Sequence, residues 1–277
     1  MPRFCYTVAE DLCRGPITMI LTLDIGNANI VVCCVKDGRR LCRFLLSSDK
    51  SRTADEYAAY LTLLAEAGGM DLTEAAGAVV ASVVPQLTAV LVPAVRRCTG
   101  HIPMVVGPGV RSGLNIRMDD PTELGGDLAA AAVAAAERYP LPCVIVDMGT
   151  AAAFGVLDEK GCYIGGLICP GVGLGQSGLA QSASQLPDVS LETPKRIIGK
   201  NTRESMRSGL IHGAAAMLDG ILDRIETELG RPLASAVVTG ESAGMIVPNC
   251  RRSGIVIDED LVMYGLWSIW RRNHGAD

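Results

Sequence analysis

The sequence has 277 residues, of which 49% are apolar and 20% charged, with a formal net charge of −5. This length predicts about two domains. Because aromatic residues make up only 4%, we expect cores of Ala, Val, Leu and Ile, typical of α/β layers with buried central strands. An acidic chain without a Lys/Arg-rich stretch argues against nucleic-acid binding. No apolar run reaches the roughly 18 residues of a membrane helix.

Residues 1–18 are polar and irregular, and we interpret them as a candidate disordered leader rather than a signal peptide, which needs an unbroken apolar region. Met19 directly precedes a strongly apolar run, and one interpretation takes it as the native start. The ten cysteines are scattered, without a CxxC pair or a Cys/His cluster. We therefore expect reduced thiols in a cytoplasmic protein without a zinc site.

In chain order, apolar patterning predicts alternating strands and helices. The first half contains predicted strands at 19–23, 30–35, 41–46, 78–84 and 104–106, with helices at 54–67 and 87–98. An alanine-rich helix is predicted from Asp120, as its N-cap, through Arg138. Its spacing places Glu123, Asp127 and Ala131 on one face. The second half contains predicted strands at 143–146, 152–157, 163–168 and 236–238, with helices at 203–229 and 261–272.

One motif occurs twice. The first strand ends in Asp24-Ile25-Gly26-Asn27-Ala28-Asn29, and the strand at 143–146 ends in Asp147-Met148-Gly149-Thr150. A hairpin follows each copy, with Gly38 and Gly161 at equivalent turn positions and one constant offset between the copies. A single Asp-x-Gly is common by chance, but two copies with matched hairpins indicate an internal duplication.

Each copy has the residue types of a phosphate site. A strand holds the carboxylate in place, and glycine lets the backbone approach a ligand closely. Backbone N–H groups in such a turn form a concavity suited to phosphate. A carboxylate beside phosphate implies an intervening cation. Either copy alone is better interpreted as a simple hairpin turn, whereas the facing pair favours phosphate and metal.

The order of elements predicts two ribonuclease H-like domains of the actin-like ATPase type, at 19–118 and 119–277, with a hinge near residues 117–122. Over nearly all of the chain from Met19 onwards, the sequence resembles the type III pantothenate kinase family. The resemblance rests on six ordered segments: Asp24-x-Gly26-Asn27, Asp120-Pro121 with Gly125-Gly126-Asp127, Asp147–Ala151, Ile164-Gly165-Gly166, Pro170-Gly171 with Leu186-Pro187, and Ile198–Thr202.

The resemblance implies an ATP-dependent kinase that phosphorylates pantothenate, the first step of coenzyme A biosynthesis. It implies Asp127 as the general base, Asp24 as the Mg²⁺ ligand and Asp147 as the ligand of a monovalent cation, K⁺ or NH₄⁺. The implied ATP-binding residues are Asp24, Ile25, Gly26, Asn27, Ala28, Asn29, Ile30, Val31 and Thr150. The implied pantothenate-binding residues are Gly125, Gly126, Asp127, Leu128 and Thr202. The family is homodimeric, so a homodimer is expected.

Several positions depart from the family pattern. Leu128 stands where the family usually has Arg, a natural partner for the substrate carboxylate. The other departures are Met118 for Tyr, Ala131 for Asn, Ala28, Ala152 and Ala153 for Thr, and Glu241 for Gly. Two alternatives to an active pantothenate kinase therefore remain. One is a non-catalytic paralogue that binds nucleotide or a pantothenate-like ligand in a regulatory role, and the other is a kinase for a different small alcohol.

Overall fold

The computed structural model describes residues 19–275, so the predicted leader at 1–18 lies outside the described residues. The first half contains β1 (Ile20–Ile25), β2 (Asn29–Lys36), β3 (Arg39–Ser47), α1 (Ala54–Ala67), β4 (Ala78–Ser82), α2 (Pro85–Thr99) and β5 (Met104–Val105). The link and the second half contain α3 (Gly126–Arg138), β6 (Cys143–Met148), β7 (Ala151–Leu157), β8 (Tyr163–Pro170), α4 (Val172–Ser182), α5 (Thr202–Leu229), β9 (Ser235–Thr239), α6 (Ala243–Ile246), β10 (Ile255–Ile257) and α7 (Leu261–His274).

The two halves have the same sheet topology. The first sheet has the order β3-β2-β1-β4-β5, and the second has the equivalent order β8-β7-β6-β9-β10. In each, the first three strands are antiparallel and the last two run parallel to the central strand. Even the register shift recurs, after Cys34 in β2 and after Val156 in β7. The duplicated motif therefore belongs to a duplicated domain, and the predicted actin-like fold class is confirmed.

The molecule has five layers. Helices α3 and α7 lie between the two sheets, where their apolar faces form one core with the inner faces of both. Helices α1 and α2 cover the outer face of the first sheet, and α4, α5 and α6 cover that of the second. Sheets buried on both faces explain the near-continuous apolar strands. Because α7 ends the second half yet packs on β1 and β4, the domain division at residue 118 stays a prediction.

The alanine-rich helix differs from its prediction. Asp120 does act as an N-cap, accepting from the Thr122 amide, but it caps a separate 3-10 turn at Pro121–Glu123. Helix α3 begins only at Gly126, after an extended Leu124 and with Gly125 as its N-cap. The predicted shared face of Glu123 with Asp127 is therefore wrong. Two glycines in a row favour an interruption of the helix over a continuous one. The interruption places Asp127 in the first turn of α3.

Three elements, α4, the four-residue α6 and β10, escaped prediction. Helix α4 has three glycines and no apolar periodicity, and β10 has only three residues. The eight cysteines within residues 19–275 are all free thiols. No helix in this part of the chain is both long and apolar enough to cross a membrane.

Candidate active site

The two motif aspartates occupy equivalent places on the central strands. Asp24 lies in β1 between Val31 of β2 and Ala81 of β4. Asp147 lies in β6 between Ala153 of β7 and Thr239 of β9. Because a strand on each side holds the backbone, both carboxylates are fixed near the carboxyl ends of their strands. Ligands bind at this edge in open α/β sheets.

The turn after β1 is held by backbone contacts. The Gly26 amide donates to the Asn29 carbonyl at 3.0 Å, and the Ser48 hydroxyl donates to the Gly26 carbonyl at 2.6 Å. Asn27 and Ala28 are exposed at the tip. Ile25 and Ile30 are fully buried in the core between the first sheet and helices α1 and α2. Any contact they make with a nucleotide would therefore come from the backbone.

The turn after β6 is also held by backbone hydrogen bonds. The Gly149 amide donates to the Ala151 carbonyl, and the Gly171 amide donates to the Thr150 carbonyl, both at 3.1 Å. A Cβ at Gly171 would overlap the Gly149 and Thr150 carbonyls. Gly171 thus lets the start of α4 pass close behind this turn, which leaves Thr150 exposed.

The two glycines before Asp127 shape its surroundings. A Cβ at Gly125 would come within 2.5 Å of Asp127 Oδ1, and one at Gly126 within 2.9 Å of the Val106 carbonyl. The start of α3 therefore rests directly on the chain leaving β5. The Leu128 amide donates to Asp127 Oδ1 at 2.8 Å, which fixes one carboxylate oxygen and leaves Oδ2 for another partner.

The charges of Asp127 and Asp147 act on Asp24, and the charge of Asp127 also acts on Asp147. Burial raises the pKa of Asp24 well above its usual range, and the charges of Asp127 and Asp147 raise it further. Burial also raises the pKa of Asp147 to about 6, with added contributions from Asp127 and Glu241. Burial raises the pKa of the Tyr163 phenol to about 12, again helped by Asp127. The site concentrates negative charge, which a cation would relieve.

Direct chelation is not built into the protein alone. Within residues 19–275, no group of three His, Cys, Asp or Glu side chains is arranged to hold a metal ion. Oxygen ligands with uncompensated charge still suit Mg²⁺, which keeps several waters and binds through one or two carboxylates plus substrate phosphates. The residues present therefore fit a cation that arrives with a phosphate ligand.

The positions that depart from the family pattern near Asp127 face apolar surroundings. Leu128 and Met118 are half-buried against the core between the sheets, and Ala131 is fully buried in it. Two other arginines, Arg117 and Arg203, could supply the donor that Leu128 lacks, but both are engaged elsewhere. Arg117 pairs with Asp158 at 3.4 Å, and Arg203 donates to the Asp188 carbonyl at 3.1 Å.

Two residues that were not among the predicted site residues lie near these aspartates. Tyr163 is buried and within range of the Asp127 charge, and no motif distinguishes it in the sequence. Glu241 follows β9, beside Asp147, and accepts a hydrogen bond from Asn29 of the opposite half. Its departure from the family's Gly was the only signal for it. Thr202 is exposed at the start of α5, and its contact with an acceptor stays a prediction.

The sequence matches known proteins over most of its length. The sequence profile of the type III pantothenate kinase family matches residues 20–224. The type III pantothenate kinase of Moorella thermoacetica is 42% identical over 257 residues, covering 92% of this chain and 100% of that protein. The type III pantothenate kinase of Thermomicrobium roseum is 39% identical, covering 92% of this chain and 98% of that one.

A solved structure from Campylobacter jejuni, described as a Baf family transcriptional activator, aligns with a TM-score of 0.54. The alignment covers 92% of this chain and 100% of that one at 17% identity, and so supports the fold alone. The sequence matches extend over the duplicated motif, the start of α3 and most of α5. This chain therefore belongs to the type III pantothenate kinase family.

Proposed function

We propose that this chain transfers the γ-phosphoryl group of ATP to the primary hydroxyl of pantothenate, forming 4'-phosphopantothenate and ADP, with Asp127 as the general base. The assignment of roles rests on the position of Asp24 and Asp147 at equivalent strand ends, with the charge of Asp127 acting on both. These aspartates come from the first sheet, the central layer and the second sheet. Such an arrangement suits a nucleotide lying between the halves with its phosphates at the strand ends.

In this proposal the nucleotide phosphates lie against residues 24–31 and Thr150. The exposed turn tips offer backbone N–H groups in the concave geometry that suits phosphate. The absence of a Cβ at Gly26 and Gly149 lets phosphate oxygens come close to the backbone. Fixed amides need little reorganisation as charge develops on the transferring group.

Asp127 is the group best placed to take the hydroxyl proton. Because the Leu128 amide occupies Oδ1, Oδ2 is left to accept from the acceptor alcohol. As the alcohol oxygen forms its bond to the γ-phosphorus, the bond from that phosphorus to ADP breaks, and the proton passes to Asp127. Positioning and charge stabilisation supply most of the catalysis in phosphoryl transfer.

Asp24 would hold Mg²⁺, mostly through water, and Asp147 would hold K⁺ or NH₄⁺. When bound, these cations neutralise charge on the phosphates. The raised pKa of both carboxylates supports this assignment, because an unneutralised pair of buried acids is unfavourable without a cation.

Acceptor choice is the part of the proposal open to a second candidate. Leu128 offers no donor for a carboxylate and packs toward the apolar layer. That observation favours testing a kinase for a small alcohol that lacks the carboxylate. The substrate pantothenate remains the first candidate because the family match covers most of the chain.

We also propose a homodimer. The second half exposes large apolar side chains on β8, on α4 and just before α5: Ile168, Leu174, Leu179, Ile197 and Ile198. Ile168 is 79% exposed and Ile198 is 78% exposed. Large apolar side chains that are this exposed are typical of a protein interface, and a second copy of the chain is the proposed occupant.

A coupled assay tests the proposed reaction. ADP release and phosphopantothenate formation are measured with MgATP, K⁺ and pantothenate for the wild type, Asp127→Asn and the control Asp119→Asn, an exposed nearby acid. We expect Asp127→Asn to lower turnover by about a hundredfold or more, and the control to retain it. Nucleotide binding without turnover in the wild type would instead support a non-catalytic paralogue. Turnover only with acceptors lacking a carboxylate would support the different alcohol.

A further inference from the structure

A hydrogen bond connects the two halves beside the proposed nucleotide site. The side-chain amide of Asn29 donates from Nδ2 to Glu241 Oε2 at 2.7 Å. Asn29 is the first residue of β2, directly after the glycine turn of the first half, and Glu241 follows β9 of the second half. The bond therefore spans the space between the two strand ends.

Glu241 is held close to Asp147 by the backbone. Gly240 has a φ of +92°, and a Cβ there would come within 2.5 Å of Asp147 Oδ1. The Ser242 amide donates to the Met148 carbonyl at 3.1 Å, which ties the turn to the end of β6. Glu241 is also among the charges that raise the pKa of Asp147, so its carboxylate acts electrostatically on that aspartate.

We propose that Glu241 is a positioning residue that sets nucleotide affinity through Asn29. In the free protein it occupies the Asn29 amide, and nucleotide phosphates engage that amide only after the hydrogen bond opens. The inference rests on the proposed function, because it takes the turn at residues 24–31 as the nucleotide site. A carboxylate at this place also repels the phosphates, so both effects weaken nucleotide binding.

Two substitutions separate these effects. Glu241→Ala removes both the charge and the acceptor, whereas Glu241→Gln removes the charge but keeps an oxygen that can accept from Asn29. Because the pair is exposed, we expect MgATP to bind Glu241→Ala about three- to tenfold more tightly than the wild type. The affinity of Glu241→Gln for MgATP should lie between those of the wild type and of Glu241→Ala. KM for ATP should fall in parallel with the dissociation constant of MgATP.

A double-mutant cycle tests the action through Asn29. Asn29→Ala should weaken MgATP binding more in the Glu241→Ala background than in the wild type, because only there is the amide free beforehand. Calorimetric titration of MgATP and MgADP gives the affinities. Glu228→Ala, which removes an exposed carboxylate near the end of α5, is the matched control and should bind as the wild type does.

Equal or weaker MgATP binding by Glu241→Ala would overturn the inference, as would an Asn29→Ala effect that is the same in both backgrounds. A fall in kcat without a change in KM would also contradict it. Failure of the proposed function has a separate signature, because the wild type itself would then release no ADP with pantothenate, whereas the MgATP affinities of the Glu241 and Asn29 variants test the inference directly.

Discussion

Gly265 of α7 lies directly against the backbone carbonyl of Ala130 in α3, so closely that a Cβ on Gly265 would overlap that carbonyl. Every residue of α3 from Ala129 to Ala135 is buried, and all but one are alanine. The small side chains let two helices fit side by side between two sheets. The thin central layer in turn holds the start of α3, and therefore Asp127, at the strand ends of both halves.

We predict that Gly265→Ala destabilises the protein by at least about 2 kcal/mol, because the added methyl has no space without separating α3 from α7. Urea denaturation measures the free energy of unfolding. Gly213→Ala is the matched control, since a Cβ there has nothing within 4 Å and lies within α5. It should stabilise the protein by about 0.4–1 kcal/mol. Similar changes in the free energy of unfolding for the two variants would contradict the close packing of α3 against α7.

The raised pKa of Asp147 predicts a pH dependence of stability. In the folded protein this pKa is about 6, against a usual 3.8, because of burial and then the charges of Asp127 and Glu241. The folded state therefore binds the proton more tightly than the unfolded state does. The free energy of unfolding should rise as pH falls from 7 toward 5.5, and the full effect of Asp147, reached only at lower pH, is at most about 3 kcal/mol.

The range from pH 5.5 to 7 distinguishes the effect of Asp147 on stability from that of acids whose pKa is lowered in the folded state. The pKa of Glu226 is lowered, mainly by its hydrogen bond from Arg252, so its contribution is fully present above the unfolded pKa and is lost only in more acidic solution. Urea denaturation between pH 5.5 and 7, without added Mg²⁺ or K⁺, should give a shallower dependence of the unfolding free energy on pH for Asp147→Asn than for the wild type. Part of the dependence should remain in the variant, because the pKa of Asp24 is also raised. The exposed control Asp119→Asn should keep the wild-type slope. A wild-type stability that falls on acidification in this range would refute the prediction.

Leu128→Arg is predicted to improve pantothenate recognition. An arginine there would supply the charge-assisted hydrogen bonds that Leu128 lacks, worth about ten- to hundredfold in affinity for a carboxylate. We expect a lower KM for pantothenate and no improvement for pantothenyl alcohol, which has no carboxylate. Steady-state kinetics with both acceptors checks this. Equal changes for the two acceptors would place the substrate carboxylate away from residue 128.

The proposed dimer predicts that a charge on its apolar face separates the copies. Ile168→Glu combined with Ile198→Glu should convert a species of twice the chain mass into one of single mass, because two buried carboxylates would be unpaired at the interface. Light scattering coupled to size-exclusion chromatography measures the mass. Ile102→Glu changes an exposed isoleucine of the first half and should leave the dimer intact. A wild type of single mass would reject the dimer.

Local patterns were sufficient for most of the regular elements. The prediction of a helix at 54–67 matches α1 at both ends, because a capping box at Thr53 and Glu56 marks its start. The interruption of the helix at Leu124-Gly125 was not predicted. Asp120 and Pro121 are as good a start signal for a short 3-10 turn, which they form here, as for a long helix. Only the contact of Gly126 with the Val106 carbonyl, distant in sequence, explains where α3 begins.

The sequence by itself determined the duplicated motif, the α/β class and the family, because these depend on residue type, spacing and order along the chain. The tertiary structure decided that α7 crosses to the first sheet, that Leu128 faces an apolar layer and that Asn29 meets Glu241. These relations join residues far apart in the chain, and their energies depend on packing and on distances between charges, which no local pattern specifies.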